Sequence, residues 1–249
     1  MTLNNPIAER PTKTVYRDGD VVIKLFVEGY SKADILNEAL NHARAEETGL
    51  PVPKMLEVTK IEGRWAIVIE YIEGKTLGEL IAENPDKKQE YLDMFVNIQM
   101  EILSKSSPLM TELKYKMRKK ISACGLDATT RYELQTRLES MHTHTKVCHG
   151  DFVPSNVIVT AEGKPYIIDW AHATQGNGAA DAARTYLMFC LNGDEKTAKE
   201  YLELFCKKTD TAIQYVQRWL PIVAASQLVK GKEEEKEILN KWASVCDYQ

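Results

Sequence analysis

The sequence lacks the long apolar run that a membrane-spanning helix needs, and it carries no excess of positive charge. No stretch approaches the roughly 20 apolar residues that cross a bilayer. The 249 residues have a net charge of −4 at pH 7, which gives no basic surface for nucleic acid. The opening residues show no signal-peptide pattern. We therefore expect a cytoplasmic protein with no membrane or nucleic-acid partner.

Cysteine is scarce and scattered. The chain has five cysteines, at positions 124, 148, 190, 206 and 246, and no Cys-x-x-Cys pair. This usage favours reduced thiols over disulfides or a zinc site. Hydrophobic residues make up 44% of the chain, which is enough to build a large core in one unit or in two lobes.

The most informative segment begins at His149. It reads His-x-Asp, with Asn156 five residues after Asp151, and a second acid, Asp169, ends a later apolar run. This order is typical of the catalytic and metal-binding loops of enzymes that transfer a phosphoryl group. Asp151 is the candidate for the base that accepts the proton of an attacking hydroxyl.

A predicted hairpin connects the two halves of this segment. Residues 157–160 and 165–168 are β-branched and aromatic runs, and residues 161–164 have turn composition. Pairing of residue 160 with residue 165 would place Asn156 and Asp169 together at the open end. Their oxygen atoms suit Mg²⁺. The alternative is a surface hairpin with ordinary loop residues.

These motifs resemble those of the aminoglycoside phosphotransferase and choline kinase family, which has the bilobal protein-kinase-like fold. The matching segments are His149-Gly150-Asp151…Asn156, Ile168-Asp169-Trp170, Gly176-Asn177-Gly178 and Asp181-Ala182-Ala183-Arg184.

The resemblance implies a role for each matching residue. Asp151 would be the catalytic base, and Asn156 and Asp169 would bind Mg²⁺. His149 and Asp181 would support the catalytic loop. ATP or GTP would be the co-substrate.

The resemblance also implies an α+β fold with two lobes. Residues 1–72 would form a small, β-rich, nucleotide-binding lobe. Residues 73–249 would form a larger, mostly helical lobe that holds the catalytic loop and the acceptor.

The N-terminal third contains a candidate phosphate-binding lysine. Residues 12–16 and 21–26 flank an Asp-Gly turn and predict a β-hairpin. Lys24 lies inside the apolar second strand, where kinases hold the lysine that pairs with phosphates. A helix predicted over residues 32–48 carries Glu38, the candidate ion-pair partner of Lys24. An ordinary edge lysine and a solvated glutamate are the alternative.

A linker follows a predicted strand at residues 66–69. In a kinase-like arrangement the backbone from Glu70 to Ile72 would hydrogen-bond the adenine, before a helix that starts near Thr76. A strand and loop at the edge of a sheet would show the same residues.

Glycine is missing from the segment expected to contact the phosphates. Residues 8–13, before the first predicted strand, contain none, although glycine lets backbone amides approach phosphates closely. Either threonine and lysine side chains contact the phosphates, or nucleotide binding is weak. Weak nucleotide binding would favour the alternative function, a nucleotide-binding pseudokinase that acts as a regulatory or scaffold module.

The rest of the chain is predicted to be mostly helical, with C-terminal helices near residues 181–192, 194–208, 210–230 and 232–246. We expect a small-molecule kinase that moves the γ-phosphate to an alcohol, working as a monomer or weak dimer. An aminoglycoside, a choline-like base or another small alcohol would fit. A protein kinase is disfavoured, because Gly150 replaces the usual arginine and only eleven residues separate Asp169 from Asp181.

Overall fold

The computed structural model describes residues 2–229 and 231–244. The β-strands are β1 Pro6–Arg10, β2 Lys13–Asp18, β3 Val21–Phe26, β4 Met55–Ile61, β5 Arg64–Glu70, β6 Lys75–Thr76, β7 Lys146–Cys148, β8 Val157–Val159, β9 Pro165–Ile167 and β10 Thr174–Gly176. The α-helices are α1 Lys32–Glu47, α2 Leu77–Glu83, α3 Lys88–Ser104, α4 Leu113–Ala123, α5 Ala128–Ser140, α6 Gly178–Leu191, α7 Glu195–Thr209, α8 Ile213–Gln217, α9 Leu220–Leu228 and α10 Lys236–Ala243. The predicted α+β class, with strands concentrated in the N-terminal part, is confirmed. In the part of the chain described, no helix is long and apolar enough to cross a membrane.

The chain divides into two compact units. The first contains the residues up to Lys87 together with Pro154–His172, and the second contains Lys88–Val153 and the residues from Ala173 onward. The units differ from the lobes expected at residues 1–72 and 73–249, because the hairpin segment packs with the N-terminal residues. That one lobe binds the nucleotide and the other holds the catalytic loop and the acceptor stays a prediction.

An antiparallel sheet of five strands, in the order β1-β2-β3-β5-β4, forms the body of the first unit. Side chains alternate between its faces, as in any strand. Ile23 and Leu25 pack in a cluster on one face. Phe26 and Ile67 pack on the other, where Ile35 of α1 joins them. Lys24 shares the face of Phe26, so it points toward α1.

The first hairpin is present, with Asp18 opposite Val21 and Lys13 opposite Phe26. The sequence did not reveal β1, which pairs with β2 at the edge of the sheet. The glycine-free segment is therefore not a loop before the first strand. Most of it is strand, closed by a tight turn at Pro11 and Thr12.

The second hairpin is also present, but its predicted register was wrong by one residue. Val157 lies opposite Ile167 rather than residue 168, and the N–H of Thr160 donates to the carbonyl of Lys164 at 3.0 Å. Gly163 has φ +80°, and a glycine in this region closes a hairpin loop of three residues. The loop is therefore one residue shorter than predicted.

Helices and aromatic rings build the core of the second unit. Phe95 of α3 stacks on Phe152 with ring centroids 4.3 Å apart, and Tyr201 of α7 meets Phe95 edge-on at 5.9 Å.

The predicted single helix over residues 210–230 was wrong. The structure has α8 and α9 instead, and Pro221 occupies the first turn of α9, where proline is tolerated. The predicted helix end at residue 246, and Cys246 itself, lie outside the described residues. Cysteines 124, 148, 190 and 206 are free thiols.

We expect Gly74→Ala to destabilise the first unit. A Cβ at Gly74 would overlap the backbone carbonyl of Val159 in β8, and overpacking of this kind costs about 1–3 kcal/mol. Gly125→Ala is the matched control, because a Cβ at that position would have no neighbour within 4 Å. Urea denaturation should show a lower free energy of unfolding for the first variant only. Equal stabilities would contradict the close approach of the two backbones.

Candidate functional site

The first unit holds a buried ion pair between Lys24 of β3 and Glu38 of α1. The Lys24 Nζ donates to Glu38 Oε1 at 2.8 Å, and each residue is 8% exposed. The expected ion pair is therefore present. Its role in nucleotide binding stays a prediction.

The amphipathic pattern of α1 explains why Glu38 points inward. Ser31 caps the helix by accepting a hydrogen bond from the N–H of Asp34. Six positions of the helix are buried, and all of them except Asn41 follow the spacing of one helix face: Ile35, Glu38, Ala39, Asn41, His42 and Ala45. Glu38 is thus the acidic member of an otherwise mostly apolar stripe.

Hydrogen bonds within the first unit hold the chain just before and just after Asp169. The N–H of Ile167 donates to the carbonyl of Pro51 at 2.8 Å, and Asn41 Nδ2 donates to the carbonyl of Ala171 at 3.4 Å. The backbone of Asp169 itself has φ +64°, an uncommon conformation for a residue other than glycine. Its Oδ1 lies 3.6 Å from Lys24 Nζ.

Asn156 lies at the open end of the second hairpin, as expected. Its carbonyl accepts a hydrogen bond from the N–H of Ile168 at 2.9 Å, so Asn156 and Asp169 flank the same strand pair. Among residues 2–229 and 231–244, no group of three or more His, Cys, Asp and Glu side chains could hold a metal. Mg²⁺ usually takes one or two protein ligands together with phosphates. One amide and one carboxylate therefore fit a cation that is shared with a nucleotide.

Lys13 also belongs to this cluster, which the sequence motifs did not indicate. Its Nζ lies 2.8 Å from Glu38 Oε1 and 3.7 Å from Asp169 Oδ1. The register of the first hairpin is the signal that would have found it. Lys13 lies opposite Phe26, and Val15 lies opposite Lys24, so both lysines share one face of the sheet.

The cluster shifts the pKa values of its members. Burial by itself raises the pKa of Glu38, but the charges of Lys24 and Lys13 outweigh it and leave that pKa below its ordinary value. Burial likewise acts to lower the pKa of Lys24, and the charges of Asp169 and Glu38 raise it above the ordinary value. Both groups are therefore held in their charged forms.

The predicted adenine linker follows β5. The N–H of Glu70 donates to the carbonyl of Lys54 at 2.9 Å, and the N–H of Tyr71 donates to the carbonyl of Asp20 at 2.8 Å. Both N–H groups are thus used inside the first unit. Ile72 is the remaining candidate donor of the linker, and its contact with adenine stays a prediction.

A buried carboxylate of the second unit binds the loop that carries His149, Gly150 and Asp151. Asp181 of α6 is 1% exposed, and its Oδ1 accepts the N–H of Gly150 at 2.7 Å. Its Oδ2 accepts Gln99 Nε2 at 3.3 Å, and Tyr201 donates to Gln99 in turn at 2.6 Å. Burial raises the pKa of Asp181, against the lowering effect of the Gly150 hydrogen bond.

His149 and Asp151 lie on either side of Gly150. His149 is fully buried, and its Nδ1 accepts the N–H of Asp151 at 3.3 Å. Arg184 Nη2 lies 3.4 Å from Asp151 Oδ1, a contact that the sequence motifs did not indicate. The helical spacing of Asp181 and Arg184 is its signal, because residues three apart lie on one helix face.

The predicted site residues therefore fall into two groups. Lys24, Glu38, Asn156 and Asp169 belong to the first unit, with the linker. Asp151, His149 and Asp181 belong to the second.

Comparisons with known proteins give the chain its family context. Residues 103–218 match the model of the phosphotransferase enzyme family, APH. A thermostable mutant of aminoglycoside phosphotransferase APH(4)-Ia in its apo form is similar in structure, with a TM-score of 0.69 and 14% identity over 96% of this chain and 90% of that chain. The chain has the fold of the aminoglycoside phosphotransferases and choline kinases. The resemblance expected from the motifs is thereby confirmed.

Two further structures support this fold assignment. Another mutant of APH(4)-Ia, in a ternary complex with AMP-PNP and hygromycin B, has a TM-score of 0.68 and 16% identity over 96% of this chain and 89% of that chain. Choline kinase LicA from Streptococcus pneumoniae has a TM-score of 0.61 and 16% identity over 98% of this chain and 87% of that chain. No curated protein sequence matches the chain significantly. The match to the phosphotransferase family model covers residues 103–218, whereas the fold is shared over nearly the whole chain.

The lowered pKa of Glu38 predicts how stability depends on pH. A carboxyl whose pKa is lowered by folding stabilises the protein above its unfolded pKa of 4.5, and that contribution is lost as the pH falls through the folded pKa. We expect Glu38→Gln to be less stable than the unaltered protein near neutral pH. The difference in free energy of unfolding should shrink as the pH falls below that unfolded pKa.

Glu47→Gln, at an exposed position of the same helix, is the control for this measurement. Chemical denaturation at each pH gives the free energies. A difference between Glu38→Gln and the unaltered protein that stays constant over this pH range would contradict the charge pairing of Glu38.

Proposed function

We propose that this protein is a small-molecule kinase, which moves the γ-phosphate of ATP or GTP to a hydroxyl group. The observation that carries the proposal is the charge cluster of the first unit. Lys24 and Glu38 form a buried ion pair, and Asp169 lies 3.6 Å from the same ammonium. A surface hairpin with ordinary loop residues would not need this arrangement.

The nucleotide would be bound by residues of the first unit. Lys24, oriented by Glu38, would neutralise phosphate oxygens. The backbone carbonyl of Glu70 and the backbone N–H of Ile72 would bind the base. Asn156 and Asp169 would hold Mg²⁺, which neutralises charge on the transferring phosphoryl group.

The acceptor hydroxyl would be handled by Asp151. A carboxylate within hydrogen-bond reach orients the hydroxyl and accepts its proton as the new O–P bond forms. Asp181 would keep the loop of Asp151 in shape through the N–H of Gly150, 2.7 Å away. Only four residues lie between Asp151 and Asn156 in the sequence, so the proposed base and the proposed metal ligand belong to one short segment of the chain.

A small alcohol is the proposed acceptor. The ternary complex of APH(4)-Ia contains AMP-PNP and hygromycin B, and LicA is a choline kinase. Aminoglycosides and choline-like bases are therefore the first acceptors to screen for this chain. We further propose that the protein works in the cytoplasm as a monomer or weak dimer, without nucleic acid or membrane.

Thermal-shift titration with Mg-ATP and Mg-GTP tests the nucleotide site. At about 100 times its Kd, a ligand adds roughly 2.7 kcal/mol, and each kcal/mol raises the midpoint by about 2–4 °C in a chain of this size. We expect a magnesium-dependent rise that Asp169→Ala loses. Asp151→Ala should keep the rise but lose acceptor-dependent ADP release by about 10²-fold or more.

Each result has a defined meaning. Near-full ADP release by Asp151→Ala would refute the role of Asp151 as base. Absence of any shift with either nucleotide would refute the kinase proposal. It would instead favour a scaffold module, the alternative that the glycine-free turn at Pro11 and Thr12 supports.

A further inference from the structure

Two lysines, rather than one, contact the carboxylate of Glu38. Lys24 and Lys13 each place an ammonium 2.8 Å from the same Oε1. One lysine and one glutamate would form a neutral pair. The second lysine leaves this triad with a net charge of +1, which must be balanced by an anion in a poorly solvated site.

Asp169 occupies the position of that anion in this structure. Its Oδ1 lies 3.7 Å from Lys13 Nζ and 3.6 Å from Lys24 Nζ. Both distances are longer than the 2.8 Å that separates each ammonium from Glu38 Oε1. The side chain of Asp169 is 37% exposed, whereas those of the two lysines are 12% and 10% exposed. The carboxylate therefore marks the open side of the lysine pair.

The position of Lys13 in the fold connects it with the missing glycines. It is the first residue of β2, directly after the turn at Pro11 and Thr12. Backbone N–H groups of a glycine-rich turn can bind phosphate oxygens. Proline has no N–H, so this turn offers fewer such donors. The ammonium of Lys13 is the cation that the same hairpin supplies instead.

We propose that Lys13 is a second phosphate-binding residue, which acts with Lys24 on the terminal phosphates of a nucleoside triphosphate. Phosphate oxygens would take the place of the Asp169 carboxylate beside the two ammonium groups, and the Asp169 carboxylate would then be able to hold Mg²⁺. This inference rests on the proposed kinase function and adds a contact to it. If the inference holds, the affinity of the protein for the phosphates of the nucleotide depends on the charge of residue 13.

Isothermal titration of four variants tests this requirement, with Mg-ATP and adenosine as ligands. Lys13→Met removes the ammonium, and Lys13→Gln removes the charge but keeps a hydrogen-bond donor for Glu38. Lys13→Arg keeps the charge. Lys60→Met is the matched control, because Lys60 is an exposed lysine of β4 in the same sheet.

We expect the two uncharged variants at residue 13 to bind Mg-ATP about 10-fold to 100-fold more weakly, as for a lost charge-assisted hydrogen bond. Adenosine affinity should not change, because adenosine has no phosphate. Lys13→Arg should recover most of the Mg-ATP affinity, and Lys60→Met should match the unaltered protein.

The result that would overturn the inference is equally specific. If Lys13→Gln binds Mg-ATP as tightly as the unaltered protein, Lys13 only supports Glu38, and the kinase proposal stands. If both ligands weaken equally, the loss is structural, and the phosphate role is again excluded. If the unaltered protein binds no Mg-nucleotide, the kinase proposal and this inference both fail.

Discussion

The carboxylate of Glu38 accepts hydrogen bonds from two ammonium groups inside the first unit. Buried charges destabilise a fold unless they are paired with good geometry, so this contact fixes how α1 lies on the sheet. The same region of the chain then fixes Asp169. Asn41 of α1 donates a hydrogen bond to the carbonyl of Ala171. Pro51, in the segment after α1, accepts one from Ile167 in the strand before Asp169. The charge cluster and the hairpin are therefore positioned together.

The second unit uses a buried acid in a different way. Asp181 accepts hydrogen bonds from a backbone N–H and a side-chain amide. A carboxylate surrounded by such donors holds a loop in one shape, and the loop it holds carries Asp151. The aromatic pair Phe95 and Phe152 stacks beneath the same loop. Aromatic packing and the hydrogen-bonded side chain of Asp181 thus orient the proposed base. The proposed phosphate site is instead built from paired charges.

The sequence predicted the features that depend on local patterns. The alternation around Lys24 and the helix pattern around Glu38 placed both residues on the elements where the structure has them. Features that depend on backbone conformation or on partners far away in the chain were missed. The left-handed conformation of Gly163 shifted the second hairpin by one residue. The strand β1 forms by pairing with β2, and its own residues give no clear alternation. The contact of Lys13 with Glu38 depends on the register of β2 with β3, which the sequence did not indicate.

A crystal structure with Mg²⁺ and a non-hydrolysable ATP analogue tests the central claim most directly. The account predicts a metal bound by side-chain oxygens of Asn156 and Asp169. It also predicts phosphate oxygens within hydrogen-bond distance of both lysine ammonium groups, at about 2.7–3.2 Å. A nucleotide bound elsewhere, with Lys13 and Lys24 still beside Asp169, would contradict the account.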